Sequence, residues 1–341
     1  MARDIPLAPV VTTVGAPTAL WQRLLAGFFR LLLLLLFKTL VRPPFPLLWQ
    51  RWIGRLMSSI TLSESGLDVG RMSDVPCGGE VIRSPLGEVD GAVLYLHGGA
   101  FCMGSPLSHR SITTYLASRS RSEVWVPDYR LAPEHPAPAA LEDAVSCYRR
   151  MLMAGFSADQ IVIAGDSAGA GLALSTVLKL RELDLPLPGG IVLLSPFVDL
   201  ALSGLSSFTH QSIDPMLSRA WLRQGALMYA GHRQRQNPLC SPLYGEFGGL
   251  PPILIQVGSD ELLLDDAQRL AHRAAVHGAR VRLTMFSGMW HVFQLLVGWI
   301  KPADQAMQQV VEFIGECRHV PITVPDSGRV ASSTSLQVSS L

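Results

Sequence analysis

The sequence predicts an α/β fold in which a mainly parallel sheet is covered by helices on both faces. Two observations carry the prediction. From about residue 79 onward, short apolar runs alternate with segments of helical periodicity, and strands buried on both faces read as such near-continuous apolar runs. The chain has 341 residues, of which 48% are hydrophobic and 16% charged, enough for a large core. Disorder as the dominant state is excluded.

The predicted elements follow in order along the chain. We expect strands at residues 93–96, 123–126, 161–165, 191–194, 253–257 and 281–286. We expect helices at residues 111–118, 139–153, 168–183, 265–277 and 302–317. Residues 200–245 lie between the fourth and fifth of these strands and contain no strand pattern of their own. Because residues 218–231 have helical periodicity, this stretch is interpreted as a helical insertion.

An unusually apolar stretch precedes the alternating pattern. Residues 24–37 read LLAGFFRLLLLLLF, and Lys38 follows them. A membrane-spanning helix needs about 20 apolar residues, and this run is shorter and interrupted by Arg30, so a span or a cleaved signal is disfavoured. We expect a helix packed over the body as a lid, ended by the prolines at positions 43, 44 and 46, and a second helix at 47–57. The charged side chains of the first, leucine-rich helix are expected on its outer face and its leucines toward the interior. A helix lying in a membrane interface stays open.

Charge is distributed unevenly although the net charge is only +1. The first 60 residues hold seven basic residues and one acid, and the remainder holds 21 basic and 26 acidic residues. The basic residues are scattered singly, which argues against a nucleic-acid-binding stripe. The five cysteines lack any C-x-x-C spacing, so neither a disulfide framework nor a zinc site is expected, and a cytoplasmic location is predicted.

These patterns divide the chain into four parts. Residues 1–60 are expected to be an N-terminal helical cap segment, 61–199 together with 246–318 the catalytic domain, and 200–245 a cap insertion. The remaining residues, 319–341, are rich in serine and are expected to be disordered.

A pentapeptide, Gly-Asp-Ser-Ala-Gly, lies between a predicted strand and a predicted helix. A serine in G-x-S-x-G at such a turn is held in a strained backbone conformation that projects its hydroxyl over the sheet edge. Ser167 is therefore the candidate nucleophile. A serine alcohol is nearly unreactive at neutral pH, so it needs a histidine base and an acid that orients the base.

Candidates for both partners follow predicted strands. His291 comes just after the last strand and Asp260 just after the fifth, and Ser167, Asp260, His291 is the chain order expected of a hydrolase on such a sheet. Asp265 and Asp266 are rivals for the acid, but they fall where the next helix should already have begun.

A third element, His97-Gly98-Gly99-Ala100-Phe101, follows the first predicted strand. Backbone N–H groups fixed near the reacting carbonyl stabilise the negative charge of a tetrahedral intermediate. Gly98 and Gly99 are predicted to supply two such donors and Ala168 the third. His97 is expected to order this loop and not to act as the base.

Taken together, these motifs resemble those of the hormone-sensitive-lipase-like carboxylesterases, bacterial family IV. The resemblance covers about residues 75–317 and rests on HGGAF, DYRLAPEHPAPAALEDA, GDSAG, GSDELLLDDA and MWHVF. It implies the α/β-hydrolase fold with a helical cap, a Ser-Asp-His triad at Ser167, Asp260 and His291, a three-donor oxyanion hole, and no metal or cofactor. It also implies that Tyr129, Arg130 and Glu134, in the YRLAPE segment, support the site.

Two positions depart from the family pattern. The glycine that usually follows the catalytic histidine is Val292, and the acid motif D-x-L-x-D has Leu264 where its second Asp should be. The second departure keeps Asp265 open as the acid.

The sequence thus predicts a serine carboxylesterase acting on short- to medium-chain esters. Amides, carbamates, lactones and bulky esters are alternative substrates of the same triad. A non-catalytic small-molecule receptor is disfavoured because no triad member is missing. The expected partner is a small ester, and peripheral membrane contact and a homodimer are left open.

Overall fold

A mixed sheet forms the centre of the protein. The computed structural model describes residues 8–41, 43–57, 60–85, 89–232 and 234–319. The strands are β1 (Val10–Val14), β2 (Asp68–Arg71), β3 (Gly79–Arg83), β4 (Gly91–Leu96), β5 (Ser122–Pro127), β6 (Ile161–Asp166), β7 (Gly190–Leu194), β8 (Ile253–Gly258) and β9 (Val281–Phe286). Their order across the sheet is β1-β9-β8-β7-β6-β4-β5-β3-β2. Only the β2–β3 and β3–β5 pairings are antiparallel.

Helices cover both faces of this sheet. They are α1 (Leu20–Thr39), α2 (Leu47–Met57), α3 (Arg110–Arg119), α4 (Ala139–Met153), α5 (Ala168–Glu182), α6 (Ser206–Thr209), α7 (Arg219–Ala230), α8 (Leu264–Val276) and α9 (Lys301–His319). Side chains of successive strand residues point to opposite faces, so Leu94 and Leu96 of β4 lie in one core cluster while Val93 and Tyr95 lie in the other. The predicted α/β architecture is confirmed.

The six strands predicted from the sequence are confirmed as β4 to β9. Every residue of β4, β6, β7 and β8 is buried, which is why their sequences are continuous apolar runs. Three outer strands, the edge strands β1 and β2 and the strand β3 beside β2, were not predicted. All residues of β1 and β2 are exposed or half-buried, so their sequences lack the apolar signal of a buried strand.

The register of the central strands aligns their carboxyl ends. Leu96 at the end of β4 pairs with Gly165 of β6, and Asp166 of β6 pairs with Leu194 of β7. Farther along the sheet, Gly258 at the end of β8 pairs with Phe286 at the end of β9. Loops that leave these strands therefore meet along one edge, where open α/β sheets place their sites.

The N-terminal segment differs from its predicted form in one respect. Helices at 20–39 and 47–57 are confirmed, but residues 10–14 form β1, which pairs in parallel with β9. The segment is therefore tied to the sheet as well as lying over it. In the 200–245 segment, α6 and α7 lie between β7 and β8, and α7 matches the helical periodicity of residues 218–231. Of the tail expected to be disordered, residues 319–341, His319 is the last residue of α9 and residues 320–341 lie outside the described residues.

Candidate active site

Ser167 lies at the sharp turn between β6 and α5. Its backbone has φ 52° and ψ −120°, a conformation that non-glycine residues rarely adopt. The two glycines of the motif are required by space. A Cβ added to Gly165 would lie 2.5 Å from the carbonyl carbon of Gly169, and one added to Gly169 would lie 2.0 Å from the carbonyl oxygen of Leu96. Close packing of the turn against β4 thus explains the G-x-S-x-G pattern.

His291 is the side chain that contacts the Ser167 hydroxyl. Its Nε2 atom lies 2.9 Å from the Ser167 Oγ atom, and both residues are buried. His291 follows β9 in the loop that the sequence predicted. Val292, which stands where the family usually has glycine, adopts φ 49°, so the backbone there has the left-handed conformation that glycine favours.

The carboxylate that orients His291 belongs to Glu261. Its Oε2 atom lies 3.0 Å from His291 Nδ1, and the residue is fully buried. The other oxygen, Oε1, accepts hydrogen bonds from the Gly258 N–H at 2.6 Å and the Ser195 hydroxyl at 2.7 Å. Three bonds to neighbours therefore fix the carboxylate in one orientation.

The prediction that Asp260 makes this contact is corrected by the geometry. Asp260 Oδ2 lies 2.7 Å from Arg30 Nη1 of α1, and its Oδ1 atom accepts from the Ser259 hydroxyl. Consecutive residues after a strand point in different directions, so only one of the two adjacent acids can face His291.

The two rival aspartates are also held elsewhere. Asp265 Oδ2 accepts a hydrogen bond from the Ser206 N–H at 3.0 Å. Asp266 is buried and accepts from the N–H groups of Val198 and Asp199. Burial, reinforced by the nearby charge of Asp199, raises the pKa of Asp266 to about 8. Both residues thus anchor the chain that follows β7 to the start of α8.

One signal in the sequence could have identified Glu261. Starting from Asp260, the family motif D-x-L-x-D is out of step by one residue. Starting from Glu261, the segment reads E-L-L-L-D and ends at Asp265, which matches the spacing without an insertion. The assumption that the acid is an aspartate hides this match, because it makes the motif start at Asp260 instead of Glu261.

Glu261 also sets the electrostatics of the histidine. Burial alone lowers the pKa of His291, but the hydrogen bond and charge of Glu261 outweigh it, with the charges of Asp214 and Asp166 adding to the effect, so that the pKa is raised above its ordinary value. A carboxylate bonded to Nδ1 favours the tautomer whose Nε2 is free to accept a proton. This arrangement suits a histidine that takes a proton from Ser167.

The loop after β4 corrects a second site prediction. The Gly98 N–H donates to Asp166 Oδ1 at 3.0 Å, so it is engaged and not available to a substrate oxygen. A Cβ at Gly98 would lie 2.2 Å from Asp166 Oδ2. Gly98 is therefore glycine because the loop packs directly on the residue before Ser167.

Two of the predicted N–H donors remain available. Among the described residues, the N–H groups of Gly99 and Ala168 have no acceptor. Ala168 is the first residue of α5, where helix N–H groups lack intrahelical partners and the helix dipole is positive. Ala100, next in the glycine loop, likewise has an N–H without an acceptor in the described part of the chain. It is a donor that the sequence analysis did not name.

A buried polar network holds this loop in place. Asp166 accepts from the Tyr95 hydroxyl at 2.8 Å and lies 3.2 Å from His109 Nε2. Burial lowers the pKa of His97 to about 3, and its ring stacks on Tyr129 at 4.2 Å. The Tyr129 hydroxyl donates to the His97 carbonyl at 2.6 Å. His97 is thus a neutral structural residue, in agreement with its expected ordering role.

The other two residues of the YRLAPE segment form ion pairs. Arg130 binds the buried carboxylate of Asp143. Glu134 binds Arg51 of α2 through two hydrogen bonds of 2.7 and 2.8 Å, and Arg51 also donates to the Cys102 carbonyl. This segment therefore attaches α2 to the loop that carries Gly99.

A cavity of about 470 Å³ opens beside Ser167 and His291. Side chains from α1, α2 and the 200–245 segment line it together with the glycine loop. The large apolar lining residues are Phe29, Leu32, Leu33, Phe37, Ile60, Met103, Leu131, Met216, Leu217, Trp221, Trp290, Val292, Leu295 and Leu296. The buried indole N–H of Trp221 donates to Gln50 at 2.8 Å, which joins α7 to α2. Within the described ranges, no group of three or more His, Cys, Asp or Glu residues could hold a metal ion.

Comparisons with known proteins identify the family to which this fold belongs. Residues 93–295 match the model of a family described by the alpha/beta hydrolase fold. An esterase of Acinetobacter venetianus is 40% identical over 65% of this chain and 73% of its own length. An acetyl-hydrolase of Streptomyces hygroscopicus is 40% identical over 70% of this chain and 78% of its own. The crystal structure of a hormone-sensitive lipase from a metagenome library superposes with a TM-score of 0.82 at 37% identity, covering 86% of this chain and 98% of that one.

Proposed function

The chain belongs to the alpha/beta-hydrolase-fold family, among the hormone-sensitive-lipase-like carboxylesterases, and is a serine carboxylic ester hydrolase, for which we propose Ser167, His291 and Glu261 as the catalytic triad. The observation that supports this assignment is the chain of contacts from Ser167 Oγ to His291 Nε2 at 2.9 Å and from His291 Nδ1 to Glu261 Oε2 at 3.0 Å.

The reaction proceeds in two halves. As Ser167 Oγ attacks the ester carbonyl, His291 Nε2 takes the hydroxyl proton and then gives it to the departing alcohol. An acyl-enzyme on Ser167 results. Water, deprotonated by the same nitrogen, attacks the acyl carbon, the acid leaves and Ser167 regains its proton. The Glu261 carboxylate, bonded to His291 Nδ1, stabilises the imidazolium that forms in each half.

The oxyanion of each tetrahedral intermediate is bound by backbone N–H groups. We assign this role to Gly99 and Ala168, with Ala100 replacing the predicted Gly98, because the Gly98 N–H already donates to Asp166. A preorganised donor typically contributes a few kcal/mol to catalysis. These N–H groups need no rearrangement, since the loop and the helix terminus hold them in place before substrate arrives.

The substrates we propose are short- to medium-chain esters. The cavity of about 470 Å³ lies within the usual size of small-molecule sites, about 300–1,000 Å³. Its lining is mostly apolar and suits an acyl chain. Helices α1 and α2 together with residues 200–245 act as a cap over this cavity, and the same triad would also serve amides, carbamates and lactones.

We also propose a cytoplasmic location. All five cysteines are free, and proteins of reducing compartments keep their thiols unpaired. A homodimer remains a proposal that sedimentation velocity tests. Contact with membranes is taken up below.

The replacement Ser167→Ala tests the proposed triad. We expect hydrolysis of p-nitrophenyl butyrate to fall by at least about 10⁴-fold, because without the nucleophile no acyl-enzyme forms. Organophosphate labelling, followed by mass spectrometry, should find the adduct on Ser167 and nowhere in the variant.

Ser175→Ala is the matched control, since Ser175 is a buried serine of α5 whose hydroxyl has no hydrogen-bond partner among the described residues. It should keep the wild-type rate. Full activity in Ser167→Ala would refute the assignment.

A further inference from the structure

Helix α1 exposes its apolar side chains to solvent. Its outward residues are Leu20, Trp21, Leu24, Phe28, Leu31, Leu34 and Leu35. Among these, Leu24, Leu31 and Leu35 are 66%, 57% and 53% exposed. They recur at the spacing of one helix face. The sequence predicted that the charges would point outward and the leucines inward, and for this face the structure shows the reverse.

Three polar side chains of α1 are instead turned toward the body. Gln22 is buried and accepts a hydrogen bond from the Lys301 N–H at 2.7 Å. Arg30 pairs with Asp260 at 2.7 Å. Lys38 donates to the carbonyl oxygens of Gln211 and Leu217. These three contacts are spaced evenly along the helix and hold its inward side against the enzyme, which leaves the other apolar side chains facing solvent.

Helix α2 repeats this arrangement. It exposes Leu48, Trp49, Trp52 and Leu56, while Arg51 is held by Glu134 on the inner side. With Trp21, these residues include all three of the protein's well-exposed tryptophans, at 64%, 41% and 55% for Trp21, Trp49 and Trp52. Tryptophan is enriched where a protein meets the boundary between lipid headgroups and hydrocarbon.

Isolated exposed leucines are ordinary on a soluble protein, but whole apolar helix faces mark a binding surface. The charge of the two helices indicates what binds there. Residues 8–57 contain no Asp or Glu, and Arg23 of α1, next to Leu24 in the chain, is exposed. Two copies meeting through this surface would bring basic residues against basic residues. An anionic lipid surface, in contrast, attracts them while accepting the leucines and tryptophans.

The contacts also indicate how α1 meets the lipid. By length and composition, α1 could cross a membrane. Crossing would remove Arg30 from Asp260 and Lys38 from its carbonyl partners and place Arg30 near the middle of the hydrocarbon, which is costly. Lying in the interface keeps all three polar contacts and buries only the outward face.

We propose that the outward faces of α1 and α2, comprising Leu20, Trp21, Leu24, Phe28, Leu31, Leu34, Leu35, Leu48, Trp49, Trp52 and Leu56, dock the enzyme onto an anionic bilayer surface. The opposite side of the same helices lines the cavity through Phe29, Leu33 and Phe37. The docked cap therefore separates the lipid from the reacting serine by one layer of helix. The proposal concerns binding and is independent of which residues carry out catalysis.

Vesicle co-sedimentation of the full chain tests this surface. The variant carries Leu24→Gln, Leu31→Gln and Leu35→Gln together, because glutamine keeps helix propensity close to that of leucine and none of the three lines the cavity. We expect its partition onto phosphatidylglycerol-containing vesicles to fall at least about tenfold from wild type. Wild-type binding should weaken on pure phosphatidylcholine and at high salt.

A matched control changes exposed apolar residues at the ends of three other helices. Met153, Leu183 and Val276 lie at the ends of α4, α5 and α8. The triple variant Met153→Gln, Leu183→Gln and Val276→Gln should sediment with vesicles like wild type. Circular dichroism and hydrolysis of a water-soluble ester report that both variants fold.

Three outcomes would overturn the proposal. The first is equal vesicle binding by wild type and the α1 variant. The second is a wild-type dimer that the α1 variant abolishes, which would make a second copy the occupant. The third is retention on membranes through alkaline carbonate extraction, which would identify α1 as a span.

Discussion

The edge of the sheet that carries Ser167 and the helices that cover it are fixed by different kinds of contact. At the sheet edge, Ser167 is fixed by a strained backbone and Glu261 by three hydrogen bonds in a fully buried place. The contact of α1 with that edge, Arg30 with Asp260, is a half-exposed ion pair. Glu261 and Asp260 are adjacent in sequence, yet Glu261 contacts His291 and Asp260 contacts Arg30 of α1.

The energies of the two kinds of contact differ accordingly. Removing one partner of a buried, hydrogen-bonded charge leaves the other unsatisfied and costs several kcal/mol. A half-exposed ion pair contributes about 0–1 kcal/mol. The contacts of Glu261 are therefore expected to cost more to break than the contact of Arg30 with Asp260.

The largest expected effect comes from replacing Glu261 at the sheet edge. In Glu261→Gln the amide replaces the carboxylate that stabilises the His291 imidazolium, and kcat on p-nitrophenyl butyrate should fall by about 10²–10⁴-fold. Steady-state kinetics measure the fall, and KM should change little because Glu261 does not line the cavity.

Asp260→Asn is the neighbouring control. It removes the same charge one residue away, and we expect its kcat to stay within about threefold of wild type because Asp260 contacts α1 and not His291. A larger loss in Asp260→Asn than in Glu261→Gln would restore Asp260 as the triad acid.

The pH dependence gives a smaller effect and sharpens the role of Glu261. The pKa of His291 is raised above its ordinary value of 6.5, and only neutral imidazole can take the serine proton. kcat/KM should therefore be low in acid and rise with pH through an apparent pKa above about 6.5. Pre-steady-state or pH-stat assays with a short-chain ester measure this limb.

In Glu261→Gln this limb should move to lower pH, because the charge that raises the pKa is gone while the burial that lowers it remains. An unmoved limb would show that another group controls the titration. The same experiment on Asp260→Asn should leave the limb in place.

The smallest effect is expected from removing the ion pair between Arg30 of α1 and Asp260. Arg30→Met removes the ion pair to Asp260 while keeping an apolar stem, and the free energy of unfolding should change by less than about 1 kcal/mol. Hydrogen exchange should quicken in α1 and stay unchanged in β8. Equal quickening in both elements would mean that the cap and the sheet edge open together.

The parts predicted well are those in which local sequence and burial agree. The six central strands are buried on both faces, and α2 and α4 begin and end where their periodicity predicts. The exposed edge strands carry no such signal, so β1 could be recognised only from its pairing with β9. The same limit applies to α1, where a run of leucines predicts a helix but does not say which face is turned inward.

At the site, the sequence by itself predicted the proposed nucleophile, the proposed base and the loop that faces them. Their motifs record local requirements: glycines where a Cβ would collide at Gly165 and Gly169, and a turn that strains Ser167. The tertiary structure decided which of two adjacent acids reaches His291, which N–H groups of the glycine loop are free, and which side of α1 meets solvent. Each of these depends on the direction of a side chain or an N–H relative to a distant element, and sequence spacing does not encode that direction when neighbouring residues have the same chemistry.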